Sequence, residues 1–279
     1  MASNRLFHEL IEAQWVRGHF LAVGLDPDVA KMPVAVKKDS VKDAIVTFNR
    51  AIIDATHDLV CAYKPNSAFF EAYGSEGMGA LRETIVYIHT VAPNVPVILD
   101  AKRGDIGNTN NGYAAAAFDW LQADALTVHP YLGSEAIQPF LDRVDKGVFV
   151  LCRTSNKGAA EFQDLDVGGM PLYQKVARQV AGSWNANGNC AVVVGATYPE
   201  ELKQVRAIVG DMPILVPGIG AQGGDVEASV KAAKNSRGQG MIINTARAVL
   251  YASNGGDFTD AARAEVERTN SAIQKVLLE

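Results

Sequence analysis

Cysteine is scarce. Cys61, Cys152 and Cys190 are the only three in 279 residues, each inside an apolar strand-like run and none in a C-x-x-C pair. An odd number of scattered thiols argues against a disulfide framework or a thiolate metal site and reads as reduced core packing. The five histidines, His8, His19, His57, His89 and His129, have no metal-ligand spacing, and no H-E-x-x-H occurs. His129 precedes Pro130 at a strand end, where packing is its expected role. No apolar run approaches the roughly 18 residues that span a bilayer, so no membrane partner is expected. Residues 1–17 are an amphipathic mix without the apolar core and small-residue cleavage site of a signal peptide. A cytoplasmic protein is the expectation. Positive charge is not in excess either: the net charge is −5, which argues against nucleic acid as a partner. Any anionic ligand must then be held by local cations rather than drawn in by the whole protein's field.

What is present is apolar material. With 48% hydrophobic and 20% charged residues, the chain can bury a large core and is not disordered. Eight short apolar runs recur at 20–25, 59–63, 95–99, 125–128, 148–152, 191–194, 214–216 and 241–243. Most are continuous rather than alternating, as suits strands covered on both faces. Helical patterns fall between and after them at 40–56, 78–91, 110–121, 135–141, 172–185, 200–209, 226–234 and 259–278, with Ser40 and Thr259 as expected N-caps. With a further helix leading the first strand, this is the pattern of an α/β (β/α)₈ TIM barrel. A doubly wound sheet would carry a G-x-G-x-x-G turn after an early strand, and none is there. No linker or low-complexity stretch divides the chain, so one domain over 1–279 is expected.

The charged residues gather at predicted strand ends. The run Val97-Ile98-Leu99 stops abruptly in Asp100-Ala101-Lys102-Arg103-Gly104-Asp105, where burial is costly unless each charge has a partner or a task. On extended backbone Asp100 and Lys102 project to one side and Ala101 to the other. Lys64 ends the second strand, Asp26 follows the first, and Arg153-Thr154-Ser155-Asn156 closes the fifth. In a parallel barrel this end of the strands binds ligands. A neighbouring opposite pair at about 4 Å interacts by roughly 4 kcal/mol at an effective dielectric near 20, which would hold Lys102 protonated. A structural ion-pair cluster would look similar for a single pair, but four charged groups at adjacent strand ends point to function. Ser155 has no histidine partner for a triad and reads as a hydrogen-bonding group for a ligand.

The second constellation comes late. Pro217-Gly218-Ile219-Gly220-Ala221-Gln222-Gly223-Gly224 follows strand seven, and Asn244-Thr245-Ala246-Arg247 follows strand eight. Loops in these two places form the recurrent phosphate site of the barrel, with backbone N–H groups and an arginine fork holding the anion. The length and glycines of the first loop also suit a lid.

The stretch 100–109, read DAKRGDIGNT, resembles the D-x-K-x-x-D signature of the orotidine 5′-phosphate decarboxylase family. The resemblance extends over Gly24-Leu25-Asp26-Pro27, Lys64-Pro65-Asn66, the run 217–224 and Arg247, in order along nearly the whole chain. It implies a barrel homodimer that converts orotidine 5′-phosphate to UMP and CO₂ in pyrimidine synthesis, with no metal and no cofactor. By position it makes Lys102 the cation and proton donor beside C6 of the pyrimidine, and puts Asp100 near the departing carboxylate. Asp105, from the partner subunit, completes an alternating array with Lys64, Asp100 and Lys102, and Thr109 reaches across the dimer toward the ribose. Asp26 and Lys64 match ribose contacts, Ser155 and Gln222 pyrimidine contacts with Gln222 also near the phosphate, and Arg247 the phosphate clamp. Ala246 departs from the expected Gly or Ser. The termini suggest a free-standing enzyme.

Three rivals remain at this point. A sugar-phosphate decarboxylase or aldolase with the same D-x-K-x-x-D would use Mg²⁺ and need a further acidic ligand, against which Lys64 argues. A Schiff-base aldolase needs a lysine of depressed pKa, and Lys102 is flanked by acids. A non-catalytic nucleotide sensor would have little use for the intact charge array.

Overall fold

The computed structural model describes residues 5–219 and 224–279. Eight parallel strands carry the architecture: β1 (Leu21–Gly24), β2 (Ala62–Lys64), β3 (Ile98–Arg103), β4 (Ala125–Val128), β5 (Gly147–Arg153), β6 (Cys190–Val194), β7 (Ile214–Pro217) and β8 (Met241–Thr245). The sheet order is β2-β1-β8-β7-β6-β5-β4-β3, and β2 meets β3 through Tyr63 N–H to Pro96 O at 3.0 Å and Asp100 N–H to Pro65 O at 2.9 Å. These bonds close the ring, and the expected (β/α)₈ barrel is the fold. Most strand residues are buried, which is why the runs read as continuously apolar.

Helix boundaries differ from the sequence pattern in instructive ways. Ser40 caps the helix Val41–Thr56, its Oγ accepting from Asp43 N at 3.0 Å. Thr259 is not a cap. The last helix starts at Phe258, with Asp257 at the N-cap position, and buried Phe258 stacks on Phe48 at 5.7 Å. The pattern at 110–121 becomes the helix Gly107–Ala114 followed by a π-helical turn, Ala115–Trp120. The pattern at 172–185 breaks after Ala181, because Gly182 leaves helical geometry.

The end of the barrel remote from the charged strand ends is tied by packing and by buried polar anchors. The N-terminal helix Phe7–Val16 lies across the starts of β5 and β8, with Phe7 edge-on to Phe149 and Trp15 Nε1 donating to Met241 O at 2.9 Å. Gly147 has no side chain because the Phe7 ring would lie 2.5 Å from its Cβ. Buried Arg206 donates to four carbonyls, those of Ala233, Gly210, Met212 and Gly240. Burial pulls its guanidinium down to about 10. Cys61, Cys152 and Cys190 are free, buried thiols. Burial pushes Cys152 and Cys190 up to about 12, so neither is a nucleophile.

Candidate active site

A cavity of about 650 Å³ opens at the C-terminal ends of the strands, within the size range of small-molecule sites. Its walls include Asp26 after β1, Lys64 on β2, Asp100 and Lys102 on β3, Ser155 after β5 and Arg247 after β8. Six of the nine residues singled out from sequence therefore share one space.

Asp100 is the hub. Its Oδ1 accepts from Lys102 Nζ at 2.6 Å and from Thr127 Oγ1 at 2.9 Å, and its Oδ2 accepts from Lys64 Nζ at 3.0 Å. Burial pushes this carboxyl up, but the Lys64 and Lys102 ammonium groups outweigh it and hold Asp100 well below the usual carboxylate range. Burial likewise pulls the Lys64 ammonium down, and Asp26 and Asp100 reverse it to leave a raised value. Lys64 is covered, whereas the Lys102 side chain stays 47% exposed. Lys102 thus pairs with Asp100 while remaining accessible from the cavity.

The backbone that arranges this is not the extended strand expected from sequence. β3 runs on past Leu99 to Arg103, and its pairing with β4 jumps from Leu99↔Leu126 to Arg103↔Val128. Three residues of β3 therefore face one of β4, Thr127, in a bulge. Within it Lys102 takes φ +47°, a left-handed conformation that costs a non-glycine residue about 1–3 kcal/mol. Asp100 and Lys102 do share a side, through a strained bulge rather than through simple alternation. Thr127 bridges the distortion by accepting from Lys102 N at 2.9 Å while donating to Asp100.

Asn66 joins the two carboxylates at the mouth. Its N–H donates to Asp26 Oδ1 at 3.1 Å and its Nδ2 to Asp100 Oδ2 at 3.4 Å. Burial raises the Asp26 carboxyl, with Lys64 opposing and Asp100 adding to the rise. Thr127 and Asn66 were not singled out as site residues. The available signals were a polar residue within the apolar β4 run and a polar residue directly behind Lys64-Pro65.

Ser155 lies against Gly195, where a Cβ would come within 2.7 Å of the Ser155 Cβ, so the missing side chain makes room for it. Arg153 turns away from the cavity, stacking over Tyr198 at 4.3 Å and pairing with Asp164 at 3.2 Å. Past β7, Gly218 adopts φ +103° and accepts from Gly224 N at 3.1 Å, which draws together the two ends of the glycine-rich loop. Gln222 and the expected lid residues 220–223 lie outside the described residues. Arg247 opens the short helix Arg247–Leu250, and the Ala246 methyl fits the space left by Gly24, whose Cβ would lie 2.6 Å away.

Asp105 and Thr109 are placed differently from the rest. Neither lines this chain's cavity. Asp105 sits in the turn after β3, its Oδ1 accepting from Ile106 N at 2.7 Å, and Thr109 is exposed in the first turn of the next helix. His129 packs beneath this turn, its Nε2 at 3.1 Å from Gly104 O. Among the described residues there is no group of three or more His, Cys, Asp or Glu arranged to hold a metal ion.

A parallel eight-stranded barrel with a charged cavity at the carboxyl ends of its strands defines the class as a (β/α)₈ barrel of the enzymatic kind. Comparison then fixes the family. The chain belongs to the orotidine 5′-phosphate decarboxylase / HUMPS family, whose model matches residues 20–261. It is 57% identical over 259 residues to the orotidine 5′-phosphate decarboxylase of Cellvibrio japonicus, covering 92% of this chain and 94% of that one. It is 51% identical over 270 residues to the enzyme of the same name from Ralstonia nicotianae, covering 96% and 98%. Among solved structures, that of Leishmania donovani OMP decarboxylase superposes with a TM-score of 0.85 at 40% identity, covering 98% of this chain and 99% of that one.

Proposed function

We propose that this chain, as a single barrel domain over residues 1–279, decarboxylates orotidine 5′-phosphate to UMP and CO₂ in pyrimidine biosynthesis. One observation carries the reading: the Lys102 ammonium is held 2.6 Å from Asp100 and remains open to the cavity. In this reading Arg247 and Gln222 take the phosphate, Asp26 and Lys64 the ribose, and Ser155 and Gln222 the pyrimidine. Asp105 of the partner subunit completes the charge array, and Thr109 of the partner subunit reaches the ribose. The enzyme acts as a homodimer. Among the described residues no helix is long and apolar enough to cross a membrane. The free, buried thiols suit a reducing compartment, and the cytoplasm is the proposed location.

Decarboxylation breaks the bond between C6 and the carboxylate and leaves the electron pair on an sp² carbon, with no cofactor to spread it. The fixed Lys102 ammonium stabilises that pair without reorganising during the reaction, then delivers a proton from Nζ to C6. Solvent reprotonates the amine. Repulsion between Asp100 and the substrate carboxylate contributes roughly 4 kcal/mol, too little beside the about 8–23 kcal/mol that enzymes remove from slow reactions. Stabilisation of the carbanion therefore dominates, and contacts to the remote phosphate supply binding energy that fixes geometry.

The family description also spans a second branch, HUMPS. A Mg²⁺-dependent sugar-phosphate reaction on this scaffold would need a cation at Asp100, but an ammonium group already contacts each oxygen of that carboxylate. The decisive experiment follows orotidine 5′-phosphate by absorbance with purified, EDTA-treated protein. Full turnover with stoichiometric UMP is expected. Dependence on added divalent metal would overturn the reading.

A further inference from the structure

The turn that carries Asp105 is held by a side chain that the proposed mechanism does not use. Asn110 is completely buried. Its Oδ1 accepts from Asp105 N at 3.0 Å while its Nδ2 donates to Asp105 O, so one amide brackets both polar groups of a single peptide residue. The second Nδ2 proton goes to Ala136 O on the helix Gly133–Leu141. An asparagine has two donor protons and one oxygen. Here all three are spent on fixing this turn to the neighbouring helix.

The Asp105 carboxylate itself has little else to steady it. Among the described residues its Oδ1 accepts from the next residue's N–H alone, a bond that moves with the turn. The residues that follow, Ile106 to Thr109, are exposed, and Gly107 among them bends the chain with φ +47°. An exposed turn needs an anchor inside its own barrel if its tip is to stay in one place.

We propose that Asn110 is the positioning residue that sets Asp105 for the partner's active site, so that each subunit's Asn110 governs the activity of the other subunit. The inference rests on the reading that Asp105 acts across a dimer. Truncating Asn110 leaves the barrel and its own Lys64–Asp100–Lys102 cluster in place and lets Asp105 drift. A misplacement of about 1 Å at a reacting centre lowers kcat about 100-fold.

The test uses heterodimers isolated through two different affinity tags, compared with the homodimers for melting temperature and sedimentation. Pairing Asn110→Ala with Lys102→Ala leaves one site built from an intact Lys102 and an Asp105 whose own Asn110 is intact. About half of wild-type activity per dimer is expected, since one of two sites is restored. Pairing Asn110→Ala with Asp105→Ala leaves no such site, and activity stays near that of the Asn110→Ala homodimer. The reverse pattern, with recovery only in the second pairing, would place the effect of Asn110 within its own subunit and overturn the proposal. A Lys102→Ala with Asp105→Ala heterodimer is the control for the underlying reading. Recovery there without recovery in the first pairing sinks the Asn110 proposal alone, and no recovery in either sinks both. Should Asn110→Ala fail to fold, Asn110→Ser, which keeps an acceptor for Asp105 N, is used with the same expected pattern.

Discussion

Thr127 donates its hydroxyl proton to Asp100 Oδ1 at 2.9 Å across the bulge in β3, and Thr127 Oγ1 in turn accepts from the backbone N–H of Lys102. One buried hydroxyl therefore steadies both the carboxylate and the left-handed residue that carries the ammonium. Thr127→Val keeps the shape and removes both bonds. An unsatisfied buried donor costs about 1–3 kcal/mol, and the loosened pair should lower kcat roughly 10- to 100-fold. Urea unfolding and steady-state kinetics check the two halves, and an unchanged kcat would deny Thr127 this part.

Asp26, not Asp100, should set the acid limb of the proposed activity. Burial raises the Asp26 carboxyl, whereas its two lysines hold Asp100 below the ordinary carboxylate value near about 3.9. As pH falls, Asp26 protonates first and its proposed ribose contact weakens. The stability signs follow. Asp26, with a raised folded value, favours the fold at low pH and loses that contribution as pH rises through its folded value. Asp100, with a depressed folded value, stabilises above the unfolded value and loses that contribution only as pH falls through its own folded value. Asp26→Asn should therefore raise the neutral-pH melting temperature relative to wild type, with the gain shrinking toward pH 4. It should also flatten the acid limb of kcat/KM at a lower plateau. An unchanged acid limb would contradict this assignment.

Arg247→Ala should act on the phosphate alone. A charge-assisted hydrogen bond contributes about 1.5–3 kcal/mol, so the Kd of UMP should rise roughly 10- to 150-fold while the weak binding of uridine stays put. Calorimetry with both ligands separates this from a general loss of the pocket, which would weaken both equally.

Arg206→Met tests the far end of the barrel. It removes the guanidinium that satisfies four carbonyls near the starts of β7 and β8. Losing so many buried bonds should cost about 3–5 kcal/mol of stability, the scale seen when a buried charged network is broken. The folded variant should keep kcat within about twofold, because the cavity lies at the opposite strand ends. A large fall in kcat at a temperature well below the melting point would contradict that separation.

The barrel was legible because most buried strands are continuous apolar runs, each followed by a helical period. The charged cluster was legible because Asp100, Lys102 and Lys64 stand where apolar runs stop. The bulge was not legible. Pattern reading assigns Asp100 and Lys102 to one face by alternation, and the chain reaches the same outcome through a left-handed Lys102 whose N–H is held by Thr127, 25 residues away. Thr259 failed as a cap for a similar reason: the helix already starts at Phe258, which stacks on Phe48, ahead of the local signal. Asn66 acts on the carboxylates of two distant residues, Asp26 and Asp100, and Asn110 turns back onto the backbone of Asp105. Spacing along the chain does not report such contacts.

The central claim is that the Lys102 ammonium stabilises and protonates the C6 carbanion, and single-turnover kinetics of Lys102→Ala on orotidine 5′-phosphate test it most directly. Loss of both the electrostatic and the proton-donor contribution should lower the chemical rate at least about 10³-fold, with UMP still bound and the fold intact. A chemical rate within tenfold of wild type in that variant would contradict the account.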